Sequence, residues 1–375
     1  MKFFKSLSIS LGTVIGAGVF GIPYVIERSG IVIGLFYLLI LGGAVFFIHL
    51  FFAEAILRTS GSFRLPGLSQ KYLGPWGKNL AALSVVIGVT GALLAFLILS
   101  GEFLNILLAD GPSRIQLTLI FVAALSYFIF RGVKLIASVT VLTNILFFSA
   151  IAALIFFALP KFSVFNVSIM NTSNVFLPFG VILFSLIGWS AIPEIIGFLK
   201  SAEDKKKIKK VIIVSTIVVV LFYILFTLIL IGVSGKNTSQ DALSGLAPFL
   251  GKKIIFLGAL AGLITLADSF LVLGLYLKNT FIYDFKLSKN LSALIACGLP
   301  LILFLAGFRS FIAALGFTGT IMGAIEGIII ILIFKKARIS GDRIPEYSIK
   351  ASPLLLYSLM AALILGALTQ FFYAV

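Results

Sequence analysis

Apolar runs of about 20 residues follow one another along almost the whole of this 375-residue chain. A helix of that length crosses the hydrocarbon core of a bilayer, whereas a membrane barrel is built from strands of about 10 residues that alternate apolar and polar. The chain is 61% hydrophobic and only 11% charged, too little polar surface to coat a soluble globule of this size. The pattern predicts an all-α integral membrane protein with about eleven spans, at 8–27, 31–55, 80–108, 115–130, 135–159, 175–199, 211–233, 254–277, 291–307, 311–334 and 351–374. No segment between them is long enough for a soluble domain, so 1–375 reads as one transmembrane unit. The longest connection, about 56–79, has room for a short surface helix, and 234–251 reads as a helix capping the far face.

The +16 net charge is not a nucleic-acid signal, because of where the charges fall. With the N-terminus inside, 22 of the 29 Lys and Arg residues lie on the inner side and 7 on the outer. The positive-inside rule therefore places the N-terminus in the cytoplasm and the C-terminus outside, in a multi-pass cytoplasmic-membrane protein. The Lys205–Lys210 run, KKKIKK, reads as a topology anchor at the lipid surface. Lys2 and Lys5 lead into the first apolar run with no small-residue cleavage site before the next span, so that span is expected to stay.

Two spans carry an interruption. Gly12–Tyr24 reads GTVIGAGVFGIPY, and Ile187–Glu194 reads IGWSAIPE. Glycine weakens a helix and proline removes a backbone donor. In lipid, freed backbone groups must meet something polar, so two broken spans point to a buried ligand site. Spans one and six enter from opposite sides, and Ile15-Gly16 with Gly21-Ile22-Pro23 is echoed by Ile187-Gly188 with Ala191-Ile192-Pro193. The expected architecture is a 5+5 inverted repeat, approximately 8–159 and 175–334, with an additional helix at 351–374.

GTVIGAGVFGIPY, LFFAEAILRTSG (50–61) with LSQKYLGPWGK (68–78), FSLIGWSAIPE (184–194) and LADSFLVLGLYLKNTFIYD (266–284) come in that order. Together they resemble the amino acid–polyamine–organocation superfamily, which has the leucine-transporter fold. The chain is most similar to its hydroxy and aromatic amino acid permeases and its amino acid/auxin permeases. It departs from the aromatic permeases at Trp189-Ser190, where they usually carry a histidine after the sixth-span aromatic. It lacks the Asp-Pro-Gly motif and sixth-span methionine of the metal-ion members, so no metal is expected as cargo. A lysine in the middle of span five, which replaces sodium in some relatives, is also lacking; Lys134 stands at that span's inner end.

The resemblance implies discontinuous helices 1 and 6 around a substrate site. The amides of Gly16, Ala17 and Gly18 would meet a carboxylate at a half-helix N-terminus. The carbonyls of Thr13 and Val14, and those around Phe184 and Ile187, would meet an ammonium. Gly188, Trp189 and Ser190 complete the proposed wall: Trp189 is either a packing aromatic or a gate, and Ser190 either touches ligand or caps a half-helix. Asp268 is a carboxylate in mid-span, a functional candidate by default. With Ser269 and Thr143 it would form the cation-coupling site, for a proton or for sodium held near Val14, Asp268 and Ser269. Glu54, Glu194, Glu326 and His49 are further polar groups in spans without a readable role.

One histidine, one cysteine and no clustered carboxylates leave little for catalysis, so no enzyme, cofactor or resident metal is expected. There is no GxxxxGK[ST] motif to support ATP-driven transport. The expected function is secondary active transport: symport of a neutral amino acid, aromatic or hydroxy in class, with H+ or Na+. The expected partners are that small molecule and membrane lipids, and no nucleic acid. The alternative is a receptor subunit of the same fold that binds a small molecule without moving it.

Overall fold

The computed structural model describes residues 2–61, 63–108, 111–132, 137–283 and 285–373; Lys134 and Asp284, named above, lie outside the described residues. Helices α1 (Lys2–Val14) and α2 (Gly18–Ser29) form the first span, bent by 52° at the break between them. Then follow α3 (Ile31–Leu57), α4 (Leu65–Leu107), α5 (Arg114–Arg131) and α6 (Ala137–Ala158). The sixth span is α7 (Leu177–Leu186) and α8 (Ala191–Phe198), separated by non-helical residues. A single turn, α9 (Ala202–Lys205), leads to α10 (Ile208–Ser234), and another, α11 (Ala247–Leu250), to α12 (Lys252–Tyr283). After α13 (Lys289–Leu305), the tenth span is α14 (Phe311–Phe317), a π-helical turn (Thr318–Gly323) and α15 (Ala324–Ser340). The last helix is α16 (Pro353–Tyr373).

Among the described residues, eight helices are long and apolar enough to cross a membrane. The bent α1–α2 pair adds a ninth span, and shorter apolar helices lie at 289–305 and 353–369. These account for the eleven expected spans. The boundaries agree because burying a run of apolar side chains in lipid sets helix length directly.

The 56–79 connection does hold a short helix. Residues 65–73 are continuous with the third span except at Gly74, whose φ of 78° is a conformation that glycine adopts without steric penalty. The 234–251 connection is not the single capping helix expected. It folds as 3-10 turns and the one-turn α11, bounded by positive-φ Gly235 and Gly251. Asp241 accepts from the amide and, at 2.6 Å, the hydroxyl of Ser244, which turns the chain locally.

The broken helices occupy the centre. α1 packs on α6, α8 and α10, and α2 on α7 and α10; α12 fills the space between α4 and α6. Every residue from Gly18 to Pro23 is buried. Phe36, Leu39 and Ile40 on α3 and Leu221 on α10 point outward, as lipid-facing side chains do.

The face that carries the N-terminus is tied by polar contacts. Glu54 is fully buried at the end of α3; Oε1 accepts from Arg58 at 2.7 Å and Oε2 from the Ile349 amide at 2.8 Å. The Tyr347 hydroxyl donates to the Leu50 carbonyl at 2.7 Å. Lys71 pairs with Asp342, whose carboxyl also accepts from the Ser60 amide. Lys71 first, and then that amide, hold the Asp342 carboxyl below the ordinary carboxylate range, so the contact survives mild acid and is lost only as pH falls below that range. Residues 341–350 thus strap the end of α15 to α3 and to the start of α4. Glu54→Ala removes both acceptors from half-buried partners. It should lower stability by about 3 kcal/mol, measured as a fall in the thermal unfolding midpoint of the solubilised protein.

Candidate functional site between two broken helices

The first break begins where α1 stops pairing. The Ile15 amide still reaches Leu11 at 2.8 Å, but the Gly16 amide turns back to the Val14 carbonyl at 3.0 Å. The chain then restarts as α2 at Gly18. Among the described residues no acceptor meets the amides of Ala17, Gly18 and Val19. The free donors are therefore displaced by one residue from the expected Gly16, Ala17 and Gly18. The cause is the tight turn at Gly16, which uses that residue's own N–H.

The second break ends α7 with the Ile187 amide on Leu183 and Phe184. The Gly188 amide donates to His49 Nε2 at 3.2 Å. His49 thus satisfies backbone freed by the interruption, and it meets Trp189 edge-on at 6.2 Å. α8 restarts at Ala191 after Ser190, whose side chain makes no capping bond. Pro193 lies in the first turn of α8, where a backbone N–H lacks an intrahelical partner in any case. It therefore starts the half-helix rather than breaking it.

One side chain joins the two breaks. Tyr223 of α10 is fully buried, and its hydroxyl lies 3.1 Å from the Val14 carbonyl and 2.8 Å from the Ser185 carbonyl. Both carbonyls are at the ends of half-helices, and one O–H serves them. Gly18 brings the pieces together: a Cβ there would stand 2.9 Å from the Ser185 Cα.

A cavity of about 770 Å³ opens between the breaks. Thr13, Val14, Gly16, Ala17, Gly18, Phe184, Ile187, Trp189, Ser190, Asp268 and Ser269 line it; Gly188 and Thr143 stand outside the wall. The Thr13 hydroxyl donates to its own helix, at Ile9. A Cβ on Gly16 would sit 3.7 Å from Ser269 Oγ and 3.9 Å from Phe96, so α12 and α4 approach the first break directly. Asp268 is 9% exposed; Thr143 is its hydrogen-bonding neighbour, and its Oδ1 is buried without a partner.

The cavity continues to Arg64 and Glu194, which pair at 3.5 Å at its mouth toward the N-terminal face. Toward the other face, beyond the first break, the side chains are densely packed. Phe20, just past the first break, meets Phe103 at 4.9 Å and Phe226 at 6.3 Å, and all three rings are buried.

Sequence reasoning singled out Glu326 without a partner and missed Tyr223. Glu326 lines the cavity and accepts from Trp189 Nε1 at 2.5 Å. Tyr223 had one signal: it is the sole tyrosine of a largely aliphatic helix.

A model of the tryptophan/tyrosine permease family matches residues 1–370. The chain belongs to that family. The permease is 26% identical over 391 residues to "Tyrosine-specific transport system 1" of Haemophilus influenzae, a match that covers 98% of this chain and 95% of that protein. It is 23% identical over 341 residues to "Glutamine transporter 2" of Aliivibrio fischeri, covering 86% and 85%. Its fold matches the crystal structure of MhsT in complex with L-phenylalanine, with a TM-score of 0.73 at 14% identity over 99% and 98% of the two chains. The permease thus has the leucine-transporter fold, with its 5+5 inverted repeat and discontinuous helices 1 and 6.

Two substitutions test the architecture of the breaks. Gly18→Ala forces its methyl against α7 backbone and should destabilise by about 1–3 kcal/mol. Tyr223→Phe leaves the buried Ser185 carbonyl without its donor, and the Val14 carbonyl with the Gly16 amide alone, and should lose about 1–3 kcal/mol. Thermal unfolding in detergent reads both, and an unchanged midpoint for either variant contradicts the contact it removes.

Proposed function

We propose that this permease is a secondary active transporter that imports a neutral amino acid across the cytoplasmic membrane by symport with a cation, a proton in preference to sodium. The observation that carries this reading is the single cavity that joins unpaired amides at the start of α2 to a buried carboxylate with an unpartnered oxygen. The amides of Ala17, Gly18 and Val19, at the positive end of α2, suit a substrate carboxylate. The Val14 carbonyl is already engaged by Gly16 and Tyr223, which leaves the ammonium to other acceptors of the wall, Thr13 and the end of α7 among them.

Asp268 carries the coupling cation in this reading. It has a hydroxyl neighbour, Thr143, and no cationic partner among the described residues, so its charge changes when a proton or sodium arrives. Relatives named for tyrosine and glutamine transport support a neutral amino acid as cargo. The charge distribution supports a cytoplasmic N-terminal face. The cavity then opens inward, and the Phe20–Phe103–Phe226 cluster closes the outer path. Alternation would move spans one, two, six and seven against three, four, eight and nine, separating contacts such as Phe20–Phe103.

Uptake of a labelled amino acid panel into proteoliposomes tests the proposal, with proton and sodium gradients imposed separately. Accumulation driven by the proton gradient is expected. Saturable binding without uptake would replace the transporter by a receptor, and uptake indifferent to both gradients would remove coupling. Asp268→Asn should abolish gradient-driven accumulation while the protein still binds substrate. Accumulation at the parent level in that variant would exclude Asp268 as the coupling group.

A further inference from the structure

We infer that a second, small cavity beside the two breaks is the binding site of one buried water, held by His49 through Nδ1–H, and that this water sits inside the body formed by spans one, two, six and seven. The water site does not depend on the transport reading above; only its place in a moving body does.

The second cavity has a volume of about 10 Å³. One water needs roughly 10–15 Å³ on such a measure, together with two to four polar partners. Val14, at the end of α1, lines both this cavity and the large one. Leu186, at the end of α7, lines the small one with His49 of α3 and with Ser215 and Thr216 of α10.

The polar groups of these walls lack what a water supplies. His49 Nε2 accepts from the Gly188 amide at 3.2 Å. A backbone N–H can only donate, so Nε2 carries no proton and the neutral ring keeps its proton on Nδ1. Among the described residues no protein acceptor meets that N–H. The carbonyls where α7 ends are served one by one. Tyr223 donates to Ser185 at 2.8 Å, and the Ile187 amide turns back to Leu183 and Phe184. Among the described residues no N–H reaches the next carbonyl, that of Leu186. Ser215 Oγ donates to the Ile212 carbonyl at 3.1 Å and keeps lone pairs for accepting, and Thr216 adds a second hydroxyl. A water that accepts from Nδ1–H and donates to Leu186 and to a hydroxyl of α10 completes all three. An apolar void of this size would stay dry; a polar one holds its water as part of the structure.

The walls come from α1, α3, α7 and α10, which belong to spans one, two, six and seven. Those are the spans that alternation would move together, and the water lies where all four meet. It stays with its walls when they move. The Trp189–Glu326 bond is of the other kind, since it joins span six to span ten. The breaks are thus served on two sides, by the large cavity that admits a ligand and by a water pocket within their own body.

His49 is the sole histidine of the chain, so labelling histidine at its ring nitrogens reports this site without further assignment. Nuclear magnetic resonance of the reconstituted protein, with no amino acid and no gradient, should show Nδ1 protonated and Nε2 bare. Magnetisation should pass to Nδ1–H from a long-lived water. A proton on Nε2 overturns the inference, and so does an Nδ1–H that receives nothing from water. Val219→Ile from α10 and Val45→Ile from α3 each add a methyl at the cavity wall. Either should abolish the transfer while Nε2 still accepts from Gly188, so one variant serves if the other does not fold. Transfer at the parent level in a folded variant overturns the site. In the parent protein the transfer should persist when a saturating amino acid is added; its loss on binding overturns the place of the water within a rigid body. The transport reading is tested by uptake and stands or falls apart from all of these results.

Discussion

A helix that stops halfway through a bilayer exposes carbonyls and amides where no water can answer them, and this fold depends on how those groups are satisfied. The Tyr223 hydroxyl lies between carbonyls near the ends of two half-helices from different parts of the chain. His49 takes the Gly188 amide at the second break. Both partners come from unbroken helices, α10 and α3, so the interrupted spans borrow their missing hydrogen bonds from neighbours that keep their own. What these two side chains leave unsatisfied, the α2 amides above all, faces the cavity.

Close approach is the second requirement. Gly18 admits the backbone of α7, and Gly319 in the π-helical turn lies where a Cβ would collide with the Gly180 carbonyl of the same helix. Gly262 on α12 leaves room for the rings of Phe103 and Phe20. The small residues thus form a connected set around the sixth span and the densely packed end of the cavity. The π-helical turn belongs to that set, and its extra residue per turn carries Glu326 round to face α4 and Trp189.

The spans and the two interruptions were legible in the sequence because each is a local signal: apolar length for one, glycine and proline inside an apolar run for the other. Asp268 and Glu326 were conspicuous as charges in such runs. The contacts were not legible, because they join residues far apart in the chain. Tyr223 reaches across 38 and 209 positions, and Trp189 reaches Glu326 across 137. The free amides were displaced by one residue because a turn at Gly16 is decided by backbone geometry that composition does not encode. The 234–251 segment had helix-compatible residues, but Asp241 and two positive-φ glycines turn it into short pieces.

The start of α8 has a consequence for how a ligand lies in the cavity. Two half-helices, α2 and α8, begin at its wall, and each presents a positive pole. The start of α8 carries an acid of its own: Glu194 stands in its first turn, and the Gly188 amide just before it is taken by His49. The first turn of α2 holds no acidic residue, and its amides are free. An otherwise pseudo-symmetric chamber is therefore polarised. In the transport reading, a zwitterion entering it would meet an acid at the start of one half-helix and none at the start of the other.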